Sequence, residues 1–267
     1  MEFPESGRGG SEIASAKPHV PAGCVKALIF EVHSIPRCHV DSPSDPLALI
    51  KQIDWASLEH ALGPAVDTPA ALADLLNGAP EAQAGAVDHL NDPVHHQNSL
   101  YSATAPAALY VAVILSDPRT DTLVPGGEEV QWHPLRQALL DWLGSIADEV
   151  GIDAEATWLR SGFSPEESPE FTAVRVIRPA LFQTVSAFFQ DANPIVREAA
   201  IAAAIPLLDA PELTGHQADL APFVRSVLAT TSNRVYRHIA VRGLGAWGQE
   251  TASLVDRTEY FSDEPPF

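Results

Sequence analysis

Two stretches of this chain are near copies set 40 residues apart, and that spacing limits the fold more than any other feature. Asn193-Pro-Ile-Val-Arg197-Glu-Ala-Ala200 aligns with Asn233-Arg-Val-Tyr-Arg237-His-Ile-Ala240, so that Asn, Arg and Ala recur in step. A weaker copy, His133-Pro-Leu-Arg136-Gln-Ala138, opens an earlier block, and Gly78-Ala-Pro80-Glu-Ala-Gln-Ala-Gly-Ala86 keeps the small residues without the arginine. Two antiparallel helices with two short turns take about 40 residues, and one such pair cannot cover its own apolar face. Stacked pairs complete a shared core. The repeat therefore predicts tandem helical hairpins, with Asn193 as an N-cap and Asn193 and Asn233 among the residues that stack one repeat on the next. Arg197 and Arg237, in the first turn of each second helix, are placed to bond a neighbouring turn and hold repeats in register. Ala199, Ala200, Ala202 and Ala203 let neighbouring helices approach closely.

The rest of the chain follows the same helical spacing of apolar residues. It predicts helices near 47–62, 68–77, 80–91, 103–115, 133–149 and 153–160, then 179–190, 195–208, 219–229 and 234–247. Pro179 and Pro194 suit a first helical turn, where a missing N–H costs nothing. Pro206 predicts a kink or an early end. Segments 116–131 and 161–170, punctuated by Pro and Gly, read as loops, and long connections often carry function. Residues 1–46 read as an irregular leader, 47–256 as the helical array and 257–267 as a frayed tail.

Asp191-Ala-Asn-Pro-Ile-Val-Arg-Glu-Ala-Ala200 resembles the start of the second helix in HEAT repeats, members of the α-solenoid family. The resemblance is clear over 179–248 and partial over 66–149. It implies an all-α, right-handed α-solenoid of about four HEAT-like helix pairs behind the irregular leader. A second resemblance covers the front. Trp55-Ala-Ser-Leu-Glu-His60-Ala-Leu-Gly-Pro-Ala65-Val-Asp-Thr-Pro69, followed by His96-Gln-Asn-Ser-Leu-Tyr101-Ser-Ala-Thr-Ala-Pro106, is similar to bacterial HEAT-repeat proteins of largely unassigned function. This chain departs from their pattern with Asn98 where Gly is usual, and with Ala-Ala-Leu-Tyr110 where a Pro-Phe-Leu run is common. Such relatives are thought to act as interaction modules, some beside toxin genes. What the resemblance implies here is a non-catalytic protein-binding module, in its sharpest form an immunity-type inhibitor.

Charge narrows the partner. The formal net charge is −19, with Lys+Arg 16 against Asp+Glu 35, which argues against a broad grip on nucleic acid or an anionic membrane. Residues 1–170 hold 25 acidic against 8 cationic side chains, whereas 171–250 hold 6 against 7. An acidic front predicts a basic protein partner whose approach the field accelerates. Two cysteines make no secreted disulfide scaffold, and nothing approaches the roughly 18 apolar residues of a membrane span, so the reading is cytoplasmic.

Chemistry is sparse. His89, His95, His96, Gln97 and Tyr101 cluster beside the turn after helix 80–91, at spacings that fit no zinc motif. Such residues lock a loop or meet a partner. Cys24, His33, Cys38 and His39 in the leader match no familiar finger. The acid pairs Glu128-Glu129 and Glu166-Glu167 fall in expected loops. His95, His96, Gln97, Tyr101, Glu128, Glu129, Glu166 and Glu167 are the candidate partner-binding residues, with no catalytic residue, metal or cofactor expected. Gly243-Leu-Gly245-Ala-Trp-Gly248 has a dinucleotide-like spacing but follows no strand. Ser57 and His60 are three apart on an expected helix, without the third partner a nucleophile needs.

The alternative is an enzyme. Some HEAT-like solenoids excise damaged nucleic acid bases or attach tetrapyrroles in a concave groove. Trp132, Trp142, Trp158 and Trp247 are the aromatic candidates for such a groove. Arg175, Arg178, Arg197, Arg225, Arg234, Arg237 and Arg242 are the candidates for a basic stripe. Gathered on one face they favour the enzyme; dispersed or buried between repeats they favour the scaffold.

Overall fold

A computed structural model of the protein describes residues 46–126 and 131–251. The expected tail, the Cys24/His33/Cys38/His39 set, Glu128 and Glu129 lie outside the described residues, as does all of the leader but Pro46. Among the described residues ten α-helices carry the chain, and three two-stranded hairpins interrupt them. The helices are α1 (Pro46–Gln52), α2 (Thr68–Asn77), α3 (Pro80–His89), α4 (Thr104–Ile114) and α5 (Leu135–Asp148). They continue with α6 (Ile152–Arg160), α7 (Pro169–Val185), α8 (Pro194–Leu207), α9 (Gln217–Thr230) and α10 (Arg234–Ala246). The fold is mainly helical but not all-α.

The hairpins replace parts of what the periodicity assigned to helix or loop. The helix expected over 47–62 stops at Gln52; a 3-10 turn and the pair β1 (Glu59–His60) and β2 (Gly63–Pro64) follow. Gly63, at φ 119°, makes that turn possible. β3 (His95–His96) and β4 (Ser99–Leu100) close over Gln97 and Asn98, both at positive φ, the geometry of a two-residue hairpin. β5 (Leu123–Gly126) lies in the segment 116–131 expected to be a loop, and β6 (Gln131–Pro134) runs from its last residue into the start of the helix expected over 133–149.

Caps explain where the later helices begin. Asn193 Oδ1 accepts the Ile195 N–H at 3.0 Å, and Asn233 Oδ1 accepts those of Val235 and Tyr236 at 2.9 and 3.3 Å. Ser168 Oγ accepts the Phe171 N–H at 3.2 Å with Pro169 at the first position, so α7 starts ten residues before Pro179. Pro179 sits inside the helix instead. Its flanking residues Ile177, Arg178, Ala180 and Leu181 are buried, and that packing offsets the roughly 3 kcal/mol cost of an interior proline.

Packing runs along two rows. α5 makes its most extensive contact with α8, and α8 continues to α10, while α4 lies against α7. Within pairs, α2 packs on α3, α7 on α8 and α9 on α10. α8 is apolar on all sides, with Ala199 to Leu207 buried throughout, as expected of a helix walled by neighbours. Small residues set the spacing. A Cβ at Gly144 of α5 would lie 2.9 Å from Ala203 Cα, and one at Gly243 of α10 would overlap Ile205. Gly243 is thus a packing glycine, not part of a nucleotide loop.

The three arginines bond backbone close to the starts of their own helices, and Arg136 also lies over the Phe188 ring at 5.7 Å. Arg197 Nη1 donates to the Asp191 carbonyl at 2.6 Å, and Arg237 Nη1 donates to the Leu228 carbonyl at 2.9 Å. Arg136 donates to the carbonyls of Leu115 and Asp117 at 3.1 and 3.2 Å. Each arginine ties the first turn of its helix to the end of the preceding helix or the turn that follows it. Arg136 precedes Arg197 by 61 residues, 21 more than the later period. The excess corresponds to α6 and the 3-10 turn Pro165–Glu167, inserted between α5 and α7.

Candidate functional site

Two adjoining cavities meet at Asn98 and Glu149, one of them along the α5–α8–α10 row. The larger, about 530 Å³, has a floor of Gly144, Ala202, Ala203 and Pro206, where the close helix approach leaves little side chain to fill it. Asp141, Asp148 and Glu149 line it from α5 and the residue after it, and Tyr236, His238 and Arg242 from α10. The second, about 430 Å³, opens between the β3–β4 hairpin and the inserted segment, with Trp158, Phe163, Phe171, Glu167 and Glu170 among its walls. Asn98 and Glu149 border both.

The carboxylates here are under unusual conditions. Burial pushes Asp141 up to about 6, partly offset by hydrogen bonds from Tyr236 and Gln137; the Tyr236 hydroxyl donates to Asp141 Oδ1 at 2.7 Å. Burial, then the neighbouring Asp148, pushes Glu149 up to about 7. Arg242 is the one lysine or arginine among the residues lining the two cavities, and it is paired with Asp148. The site is therefore acidic, and its charge titrates near neutrality.

The structure divides the candidate residues. His95, His96 and Gln97 lie on the β3–β4 hairpin and Tyr101 directly after it. His95 is buried, and burial keeps its imidazole below the ordinary range and so neutral at pH 7. His96 meets Asp92 at 2.6 Å at the surface. Tyr101 N–H donates to Thr104 Oγ1, which donates in turn to the Val94 carbonyl at 2.7 Å, locking the loop end. Glu167 lines the second cavity, while its neighbour Glu166 is exposed. The hairpin reaches the second cavity through Asn98, Ser99 and Leu100 and the first through Asn98, which sequence reasoning treated only as a departure from a glycine.

His89 goes elsewhere, to His60, Asp67 and Thr68. The donor atoms of His60, Asp67 and His89 lie within 4.8 Å of one another, which invites a metal. Their hydrogen bonds speak against one. His60 Nδ1 accepts the Leu62 N–H at 3.1 Å, so the ring proton sits on Nε2 and is donated to Asp67 Oδ1 at 2.8 Å. Ligation through Nε2 would demand an imidazolate or the loss of the Leu62 bond. Burial works to raise Asp67, but the His60 hydrogen bond, a backbone hydrogen bond and the nearby imidazoles of His60 and His89 together outweigh it and hold this carboxyl below its ordinary value. Burial lowers His89, whose Nε2 lies 3.0 Å from the Thr68 hydroxyl. The group fastens β1 and the first turn of α2 to α3. Ser57 has no part in it.

No family model, curated protein or solved structure matches the chain.

The aromatic and basic candidates are scattered. Trp142 is buried, its Nε1 donating to the Leu90 carbonyl at 2.9 Å; Trp132 is exposed on β6, and Trp158 alone of the four lines a described cavity. Arg175 bridges Glu155, Arg178 is buried with a bond to the Val150 carbonyl, and Arg225 meets Gln249. Sequence reasoning missed Asp141, Glu149, Phe163 and Tyr236. Trp158-Leu-Arg-Ser-Gly162-Phe163, two aromatics astride a glycine, was the one available signal.

Proposed function

We propose that the chain is a HEAT-like, right-handed α-solenoid of about four helix pairs serving as a non-catalytic protein-binding module for a basic partner. The observation that carries this reading is the paired cavities, whose Asp141, Glu149, Glu167 and Glu170 face a row in which Arg242 is already paired with Asp148. A fixed scaffold bearing one sign of charge accelerates encounter with a cationic surface and discourages anions. The two rows of packed helices and the three recurrent arginine staples support the solenoid, and an immunity-type inhibitor is the narrowest form of the proposal. The enzyme reading draws less support. Of its seven arginines, Arg175, Arg178, Arg197, Arg237 and Arg242 are engaged by carbonyls or carboxylates on different elements, so they do not form a stripe for phosphates.

The test is affinity capture with the full chain, followed by association kinetics with the recovered protein across a salt series. A basic partner is expected, binding more slowly as salt rises and losing affinity when Glu167 and Glu170 are both changed to Lys. Capture indifferent to salt and to that charge reversal overturns the proposal, as does a duplex DNA shift at physiological salt.

A further inference from the structure

The insertion that breaks the 40-residue rhythm supplies Trp158, Phe163, Ser164 and Glu167 to the smaller cavity. In repeat folds, additions within a repeat gather on one face, often the binding face. This addition is fixed to the frame at its start: Ile152 N–H donates to Asp209 Oδ2 at 3.0 Å. At the end of α6, Gly162 takes φ 80° and the Phe163 N–H returns to the Trp158 carbonyl at 3.0 Å. That reversal brings Phe163 within 6.3 Å of the Trp158 ring at 71°, and Phe171 lies 5.5 Å from the same ring at 55°. Trp158 and Phe163 are 36% and 66% exposed, unusual for such large apolar side chains outside a contact surface.

We propose that this cavity is a cage for a single arginine side chain of the partner, with Trp158 and Phe163 supplying ring faces, the buried Phe171 backing Trp158, and Glu149, Glu167 and Asn98 supplying acceptors. The inference rests on the reading of a basic protein partner and names its anchor. Its volume, about 430 Å³, falls within the roughly 300–1,000 Å³ of small-ligand sites. Aromatic faces attract cations through their quadrupole, and a planar guanidinium can stack on a ring while donating in its own plane to carboxylates. The molecule already makes such a contact: the Arg175 guanidinium lies 5.5 Å from the Phe171 centroid while bridging Glu155 at 3.1 Å. Arginine is preferred to lysine because a compact ammonium cannot stack and bond edge-on together. Burial and Asp148 raise Glu149 toward neutrality, so an entering cation would relieve an unfavourable carboxylate.

The full chain is titrated with N-acetyl-arginine-methylamide, and with its neutral citrulline counterpart, while the indole N–H resonances are followed by NMR. Trp158→Phe assigns the relevant signal. The expected result is a saturable shift of the Trp158 indole by the arginine probe alone. Glu149→Gln should weaken it by about tenfold, the loss of one charge-assisted contact, and Phe163→Ala, which keeps the Trp158 reporter, should weaken it at least as much. Phe163 is largely in solvent, so that variant is expected to keep the wild-type circular dichroism spectrum, and Glu167→Gln provides a second loss at an exposed site. Equal response to citrulline, an arginine response that survives both Phe163→Ala and Glu149→Gln, or no response overturns the cage. If no response accompanies a salt-sensitive basic partner, the cage fails and the module stands. If the probe binds but no basic partner is captured, the module fails and the cage stands.

Discussion

Adding one methyl group at Gly144 tests whether the close approach of α5 and α8 organises the molecule. In the middle of an ordinary helix, Gly→Ala stabilises by about 1 kcal/mol, because alanine loses less backbone freedom on folding. Gly85 offers that ordinary case: it is exposed in α3, and a Cβ there would meet nothing within 4 Å. At Gly144 the same atom would lie 2.9 Å from Ala203 Cα and 3.1 Å from its Cβ. A backbone carbon cannot rotate aside, so the two helices must separate by several tenths of an ångström along their main contact. Overpacking of this kind costs about 1–3 kcal/mol, which cancels or exceeds the gain in helix propensity. The two alanine variants should therefore differ by about 1–3 kcal/mol, with Gly85→Ala above wild type and Gly144→Ala at or below it. Urea denaturation followed by circular dichroism measures both. Equal stabilisation by the two substitutions would refute the argument that this approach is tight.

The raised carboxyls of Asp141 and Glu149 favour folding when protonated, because the native state binds those protons more tightly than the unfolded chain. That contribution is complete below about pH 4 and is lost as pH rises through about 6 and about 7. The combined Asp141→Asn and Glu149→Gln variant should therefore gain stability relative to wild type between about pH 5 and pH 8, measured by denaturation at each pH; a constant difference would be inconsistent with this linkage. Arg197→Ala leaves a carbonyl of the turn before α8 short of a donor and Arg237→Ala one near the end of α9, and each should cost about 1–2 kcal/mol in the same denaturation assay. Arg160→Ala, whose guanidinium meets only Thr157 on the exposed side of α6, should cost less than about 0.5 kcal/mol.

The capping asparagines and the alternation of helices over 191–247 were legible because they depend on contacts within a few residues. Asn193 and Asn233 bond to N–H groups two or three positions on, and such patterns survive in a linear string. The hairpins were not legible: β1 and β2 hold two residues each, too few for any alternation to register. Pro179 misled for the opposite reason, since its local rule is sound but burial on both sides overrides it. The cavities depend on distance along the chain. Asp141 owes its environment to Tyr236, 95 residues away, and Glu149 reads as the ordinary polar end of a helix until the inserted segment folds over it.

Helix α8 touches α5, α7, α9 and α10, and its residues from Ala199 to Leu207 are all buried. A helix walled by four others cannot be removed without stripping a face from each of them. Shortening or lengthening of the protein is tolerable at its outer helices and between α5 and α7, where an extra segment has already been accommodated. A cut at α8 would leave two fragments, each with a bare apolar wall and nothing of its own to set against it.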